Sequence, residues 1–377
     1  MVGVLQAYRT GASPFGTVGN QSSILFDNIR ANAGKRFQDE KTVIDSAAEE
    51  NSKAIDAQNE RYISVKAQIN NANIAVENGQ ESIATIRTTL LEIRTPVALA
   101  AEDGEDPEFR AGEFDTKLNF INNEADTGGP AFNLVGNINR VDFTPNSIEY
   151  RNNLGAGSTT LTGTYAGSDY RIRAADGSYW IPELGTDSIT HRSTLQGVVQ
   201  KTTLSDGTEV EKTASTRNAL NIVSYNETTK EVTFEVTFDP GLPPETVTGT
   251  LERHGLGLMP AWFYEGLETQ GGRQRAFADI EKAEVELTSA EARLALAAAA
   301  VKKDSQKVDQ ALDSLTQDKV KVLNTQLTQT QELQIKTAQQ VQAMFYNLQT
   351  LSSQQQNYIQ AFAGFVRSPF FQINIRA

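Results

Sequence analysis

Apolar residues recur along two stretches of this chain at the spacing of a coiled coil. Ile44, Ala48, Asn51, Ile55, Gln58, Tyr62, Val65, Ile69, Ala72, Val76, Gly79, Ile83, Ile86, Leu90, Ile93 and Val97 alternate steps of four and three residues. That is a narrow seam of period 3.5. Nearer the other end, Ile280, Leu287, Leu294, Val301, Val308, Leu315 and Val322 stand seven apart, with Ala283, Ala290, Ala297 and Ala311 three residues behind members of that series. A helix lying on an ordinary domain shows a drifting 3.6 period and a wider stripe, so the strict seven predicts two long helices bundled together. At about 1.5 Å per residue, the first seam alone makes a rod on the order of 80 Å, longer than a globular core needs.

Helix-breaking residues support the same division. No proline falls between Pro14 and Pro96, and neither glycine nor proline falls between Gly272 and Gly364. From Ala131 to Gly272 the chain turns to Gly, Thr, Ser and Pro with short β-branched runs, the look of short strands and tight turns. Leu220–Tyr225 and Lys230–Phe238 flank Asn226-Glu227-Thr228-Thr229, while Asp176-Gly177 and Asp206-Gly207 sit between strand-like runs. Each of these predicts a hairpin. After the first rod, the acidic turn Ala101–Pro107 and a short amphipathic helix over Phe109–Asn122, with Phe114, Leu118 and Ile121 on one side, fold the chain back. The expected class is α+β: long antiparallel coiled-coil helices from both termini with a central β-rich insert.

The second helix changes character toward its end. Gln326–Gln360 contains twelve glutamines and two charges, Glu332 and Lys336, beside apolar Leu327, Ile335, Ala338, Val341, Phe345, Leu348 and Leu351. Exposed helices carry charge for solubility, whereas an uncharged polar face suits packing among many copies, where amides share hydrogen bonds and a lone charge is costly. A Gln-rich, partly disordered tail is the alternative, made less attractive by Phe362, Phe365, Phe370 and Phe371.

Composition removes other answers. Of 377 residues, 34 are Lys or Arg and 47 Asp or Glu, with two His, no Cys and a net charge of −13. Without cysteine there is no disulfide framework, thiolate metal site or cysteine nucleophile. The negative balance repels a phosphate backbone, so no nucleic acid is expected. No apolar run is long enough for a membrane span, and the opening residues lack the pattern of a cleavable secretory signal. No catalytic motif, phosphate loop or dinucleotide fingerprint occurs. His191 and His254 read as ordinary surface or hairpin residues rather than a metal pair, and Trp180 and Trp262 as packing aromatics. Neither enzymatic activity nor a cofactor is expected.

Several segments resemble bacterial flagellin. Ile69–Ile83, with its Asn71-Ala72-Asn73 step ahead of small and aliphatic seam residues, is similar to the family's first long helix. Ile86–Ala98 resembles that helix's end, where Ile93 and Arg94 match the family pattern while Glu92 and Pro96 depart from it. Glu113–Ala125 resembles the second short helix, and Thr127 with Phe132-Asn133 the start of the family's hairpin. The likeness covers residues 65 to 135; elsewhere only the architecture matches. It implies a divergent flagellin, or a relative that builds a junction, a sheath or another appendage. It further implies an extracellular flagellar-type filament giving motility or a surface appendage, export without a cleavable signal peptide, an export chaperone, and cap or junction proteins as partners.

The residues themselves argue for assembly. Asn51, Gln58 and Gly79 weaken a lone helix pair. Residues 1–36 carry too few apolar side chains to offset an ordering cost of roughly 1–2 kcal/mol per residue, so these ends should order only on docking. Contacts between copies that do not close on themselves give a helical filament. The chain thus divides into an inner-tube domain (1–36 and 330–377), a coiled-coil rod with a short hairpin (37–135 and 273–329) and an outward-facing β-rich domain (136–272). Inner-tube packing is expected from Leu5, Ile24, Leu25, Phe26, Ile29, Phe345, Leu348, Leu351, Ile359 and Phe362. Subunit packing is expected from the seam members Ile69, Val76, Ile83, Ile86, Leu90, Ile93 and Val97 with Ile280, Leu287, Leu294, Val301, Val308, Leu315 and Val322. The rival is a β-domain adhesin or tail-fibre-like binding protein on a coiled-coil stalk.

Overall fold

A computed structural model describes residues 20–102, 104–129, 132–155, 157–183 and 186–366. Helix α1 runs Asn20–Glu92, followed by α2 (Arg94–Leu99) and α3 (Pro107–Asp126); the chain closes with α4, Gln270–Val366. Pro107 at the first turn and the Asp106 carboxylate, which accepts from the Glu108 amide at 3.0 Å, start α3. The class is α+β, as expected. Helix α1 extends back to Asn20, although the sparse apolar residues of 20–36 had argued against order there.

Between α3 and α4 lie thirteen strands. Strands β1 (Asn137–Asn139) and β2 (Thr144–Pro145) pair, as do β3 (Ser147–Arg151) with β4 (Ser158–Thr162) and β8 (Lys201–Thr203) with β9 (Glu209–Glu211). The main antiparallel sheet is ordered β10 (Thr213–Ser215), β7 (Ser188–Arg192), β6 (Tyr179–Glu183), β5 (Ser168–Ala174), β13 (Glu245–Gly255), β12 (Glu231–Val236) and β11 (Leu220–Asn226). The three expected hairpins form; Gly177 and Gly207 turn at φ of +87° and +85°, where a side chain is disfavoured. Alternation sets the buried face, as in β12, where Val232, Phe234 and Val236 point inward.

The chain forms two compact units. The first, residues 61–311, holds the β region, α2, α3 and the adjoining parts of α1 and α4. Its antiparallel helices are laced by Lys66–Asp309 (2.6 Å), Arg87–Glu291 (2.6 Å) and, just past the end of α1, Arg94–Glu284 (2.9 Å). A Cβ on Gly79 would lie 3.1 Å from Leu294 Cδ1, so this glycine permits close approach. The β region keys onto the helices: Tyr150 OH donates to the buried Asp304 carboxylate (3.1 Å), and the Arg151 amide to Gln68 Oε1 (3.1 Å). Trp180 and Trp262 are both buried, each 5.6 Å from the Phe234 ring.

Two joints hold α3 to the 3-10 turn Ala261–Leu267 that follows β13, and α4 to the sheet. Asp115 of α3 is buried and accepts from the Ala261 amide at 2.7 Å; burial, with Asp187 nearby, pushes its pKa up to about 7. Arg253 of β13 donates to Asp279 of α4 (2.7 Å), which also accepts from Tyr264 OH (3.0 Å), and the guanidinium packs over the Phe263 and Tyr225 rings. His191 is not a surface residue: it is buried, stacked on Trp180 with ring centroids 4.6 Å apart and bonded to Ser178 Oγ at 2.7 Å. His254 is half-buried on β13.

The second unit, residues 1–60 and 312–377, is described over 20–60 and 312–366 and is entirely helical there. Lys319–Asp56 (2.6 Å), Gln326–Asp45 (2.8 Å) and the stacked rings of Phe26 and Phe345 (4.9 Å) fix its antiparallel register.

Candidate assembly surface

A helix longer than a few turns takes most of its stability from burying one face. In the helical unit, Ala48 and Leu333 are the buried apolar residues among those described. The contact follows Ala48, Ser52, Ile55, Asn59 and Tyr62, so Asn51 and Gln58, placed in the seam by their spacing, are exposed and their C-terminal neighbours are half-buried instead. The seven-residue step from Ala48 to Ile55 is kept, and the second contact position of each heptad moves by one, from Asn51 and Gln58 to Ser52 and Asn59.

The apolar residues left outside this contact are many. On α1, Ile24 is 58% exposed and Val43 69%; on α4, Leu323, Leu327, Ile335, Tyr346 and Tyr358 are likewise exposed. Met344, Leu351 and Tyr358 stand seven residues apart and share one face, whereas half-buried Thr330 and Thr337 separate them from exposed Leu323. No single partner helix covers a stripe this wide. Charge is scarce on the α4 side, where Glu332 and Lys336 are the only ionised side chains from 326 to 360, while α1 from 20 to 60 is charged throughout.

The residues expected at an inner tube fall as follows. Ile24, Leu25 and Leu351 are exposed, while Phe26, Ile29, Phe345 and Leu348 are half-buried. Leu5 and the side chains of Ile359 and Phe362 lie outside the described residues. Val43, Leu323, Met344, Tyr346 and Tyr358 were missed, although the seven-residue step of Met344, Leu351 and Tyr358 was open to view.

The seam members lie differently. Ile69, Val76, Ile83, Ile86, Leu90, Ile93, Val97, Ile280, Leu287, Leu294, Val301 and Val308 are buried within the single chain, and Leu315 and Val322 half-buried. The first twelve lie inside the unit formed by residues 61–311. Side chains covered this way shape the unit that a neighbour would meet, and the surface open to a neighbour is elsewhere.

Solved flagellar junction proteins are similar to this chain. The flagellar junction protein FlgL from Legionella pneumophila matches with 13% identity over 72% of this chain and 99% of its own, at a TM-score of 0.35. FlgL from Xanthomonas campestris matches with 11% identity over 72% and 98%, at 0.27. A flagellar hook-associated protein 3 from Legionella pneumophila matches with 11% identity over 74% and 99%, at 0.30. No protein-family model and no curated protein matches the sequence. Likenesses this slight carry no argument about function, which rests on the chain's own surface. Among the described residues, no helix is long and apolar enough to cross a membrane.

Proposed function

We propose that this chain is a structural subunit that polymerises with copies of itself into an extracellular flagellar-type filament, for motility or as a surface appendage. One observation carries the reading: the helical unit buries only Ala48 and Leu333 among its described apolar side chains while exposing an apolar stripe that is nearly uncharged on α4. Such helices gain their missing burial from neighbours, and a Gln-rich face can share amide hydrogen bonds with further copies. In this scheme 1–36 and 330–377 line the inner tube, and 136–272 faces outward. The segments over 65–135 that resemble flagellin support the flagellar assignment. The finer assignments, including export with a chaperone and contacts with cap or junction proteins, come from that resemblance.

Negative-stain electron microscopy of the concentrated full chain is the test. Filaments, or a short ring or tube of stacked subunits, are expected. A small closed oligomer with β-rich heads on a stalk would replace this reading with the stalked adhesin. Deleting residues 1–30 should yield a particle that no longer polymerises; filaments from that variant would refute the inner-tube role.

A further inference from the structure

On the outward face of the main sheet, Arg171 lies opposite Glu252 and Ile181 opposite Thr190. Over these strands runs the loop joining β1 to β2, held down by its own residues and by the sheet. The Arg140 guanidinium forks onto Asp169, which is 1% exposed, at 2.6 and 2.8 Å, and reaches the Pro182 carbonyl at 3.0 Å. Arg171 Nη1 donates to the Val141 carbonyl at 2.6 Å. Phe143 is held at φ +53°, its ring stacked on His254 with centroids 3.3 Å apart. A bulky aromatic in the left-handed region is costly and persists only where surrounding contacts impose it.

Beneath this roof is a cleft of about 170 Å³ lined by Ile181, Leu195, Glu183 and the guanidinium groups of Arg140, Arg171 and Arg192. Cross-strand ion pairs alone would explain the arginines of a solvated sheet face. The loop is pinned by the Arg140–Asp169 fork and by Phe143 packed against His254 and the Arg171 guanidinium, and these contacts leave the space beneath it unfilled. Asp169, Glu183 and Glu252 are each engaged by one guanidinium. Arg140 Nη1 and Arg171 Nη2 are left without an acceptor among the described residues. The cleft therefore offers planar, charged donors for a carboxylate, an aliphatic surface at Ile181 and Leu195 for the C–H face of a ring, and the acceptor Glu183 for hydroxyl groups.

We infer that this cleft binds a carboxylate-bearing pyranose, such as a uronic or sialic acid at the end of a glycan. The carboxylate lies between Arg140 and Arg171, and the ring rests on Ile181 and Leu195. Calorimetric titration of the full chain with glucuronic, galacturonic and N-acetylneuraminic acids, against glucose, galactose and acetate, tests this. At least one acidic sugar should bind with a Kd below about 10 mM, roughly tenfold or more tighter than neutral hexoses or acetate. Arg171→Lys, which keeps the charge and loses the fork, should weaken binding about tenfold. Ile181→Trp, which fills the cleft, should abolish it with the circular dichroism spectrum unchanged. Absence of binding by every acidic sugar in the wild-type protein, equal binding of neutral hexoses or acetate, or undiminished binding to correctly folded Ile181→Trp protein would each overturn the inference.

Discussion

Replacing Asp115 by Asn tests the joint between α3 and the segment that follows β13. The carboxylate is buried, accepts the Ala261 amide at 2.7 Å and has its pKa raised from an ordinary 3.8 to about 7, by burial first and by Asp187 among its neighbours. Between those two values the folded chain holds a proton that the unfolded chain has lost, so stability falls as pH rises through this window and levels off above it. At ~1.4 kcal/mol per pH unit the full penalty is ~4 kcal/mol, of which about three falls between about pH 4.5 and 8. Hydration from the cleft beside Asn119 and Asp187 reduces the expected figure to about 2–3 kcal/mol. Asn keeps an acceptor for the Ala261 amide and cannot ionise. Urea unfolding of dilute protein should therefore show Asp115→Asn gaining about 2–3 kcal/mol on the wild type between those pH values. An advantage that stays constant with pH would refute the buried-carboxylate argument.

Other perturbations separate the forces at work. Gly79→Val should cost about 1–3 kcal/mol in thermal unfolding, because its Cβ meets Leu294 at 3.1 Å, whereas Gly34→Ala, with nothing within 4 Å, should stabilise α1 by roughly 0.5–1 kcal/mol. Asp279→Ala strands the mostly buried Arg253 charge and should cost about 3–5 kcal/mol in chemical denaturation. Polymerisation followed by light scattering should strengthen with added sulfate, since the exposed stripe is apolar and the net charge of −13 opposes association until screened; weakening by salt would point to ion pairs instead.

The long helices were legible because a period of seven survives any tertiary context, and the turns at Asp176-Gly177 and Asp206-Gly207 because local chemistry sets them. Pairing order was not legible. Strand β5 lies between β6 and β13, and no local pattern announces that Leu251 will meet Ile172. His191 lies in a hairpin, one of the two places its sequence allowed, but its burial was not legible for the same reason, since it depends on Trp180 from the neighbouring strand. The seam was read correctly as apolar periodicity, yet periodicity does not say whose helix fills the seam. Ile86 is buried within its own unit, so Ile86→Asp would report on folding before it reported on assembly. Surface arrangements such as Phe143 over His254 left no trace in spacing, because they depend on a loop crossing a sheet.

The central claim is that the uncovered face of the helical unit is filled by other copies of the chain. Leu327→Glu combined with Met344→Glu places two charges on exposed positions of that face without touching Ala48 or Leu333. Sedimentation and electron microscopy of the concentrated variant beside the wild type measure the consequence. The wild type is predicted to form polymers, and the variant to stay a small particle with unchanged helix content by circular dichroism. Polymers of the variant indistinguishable from those of the wild type would contradict the account.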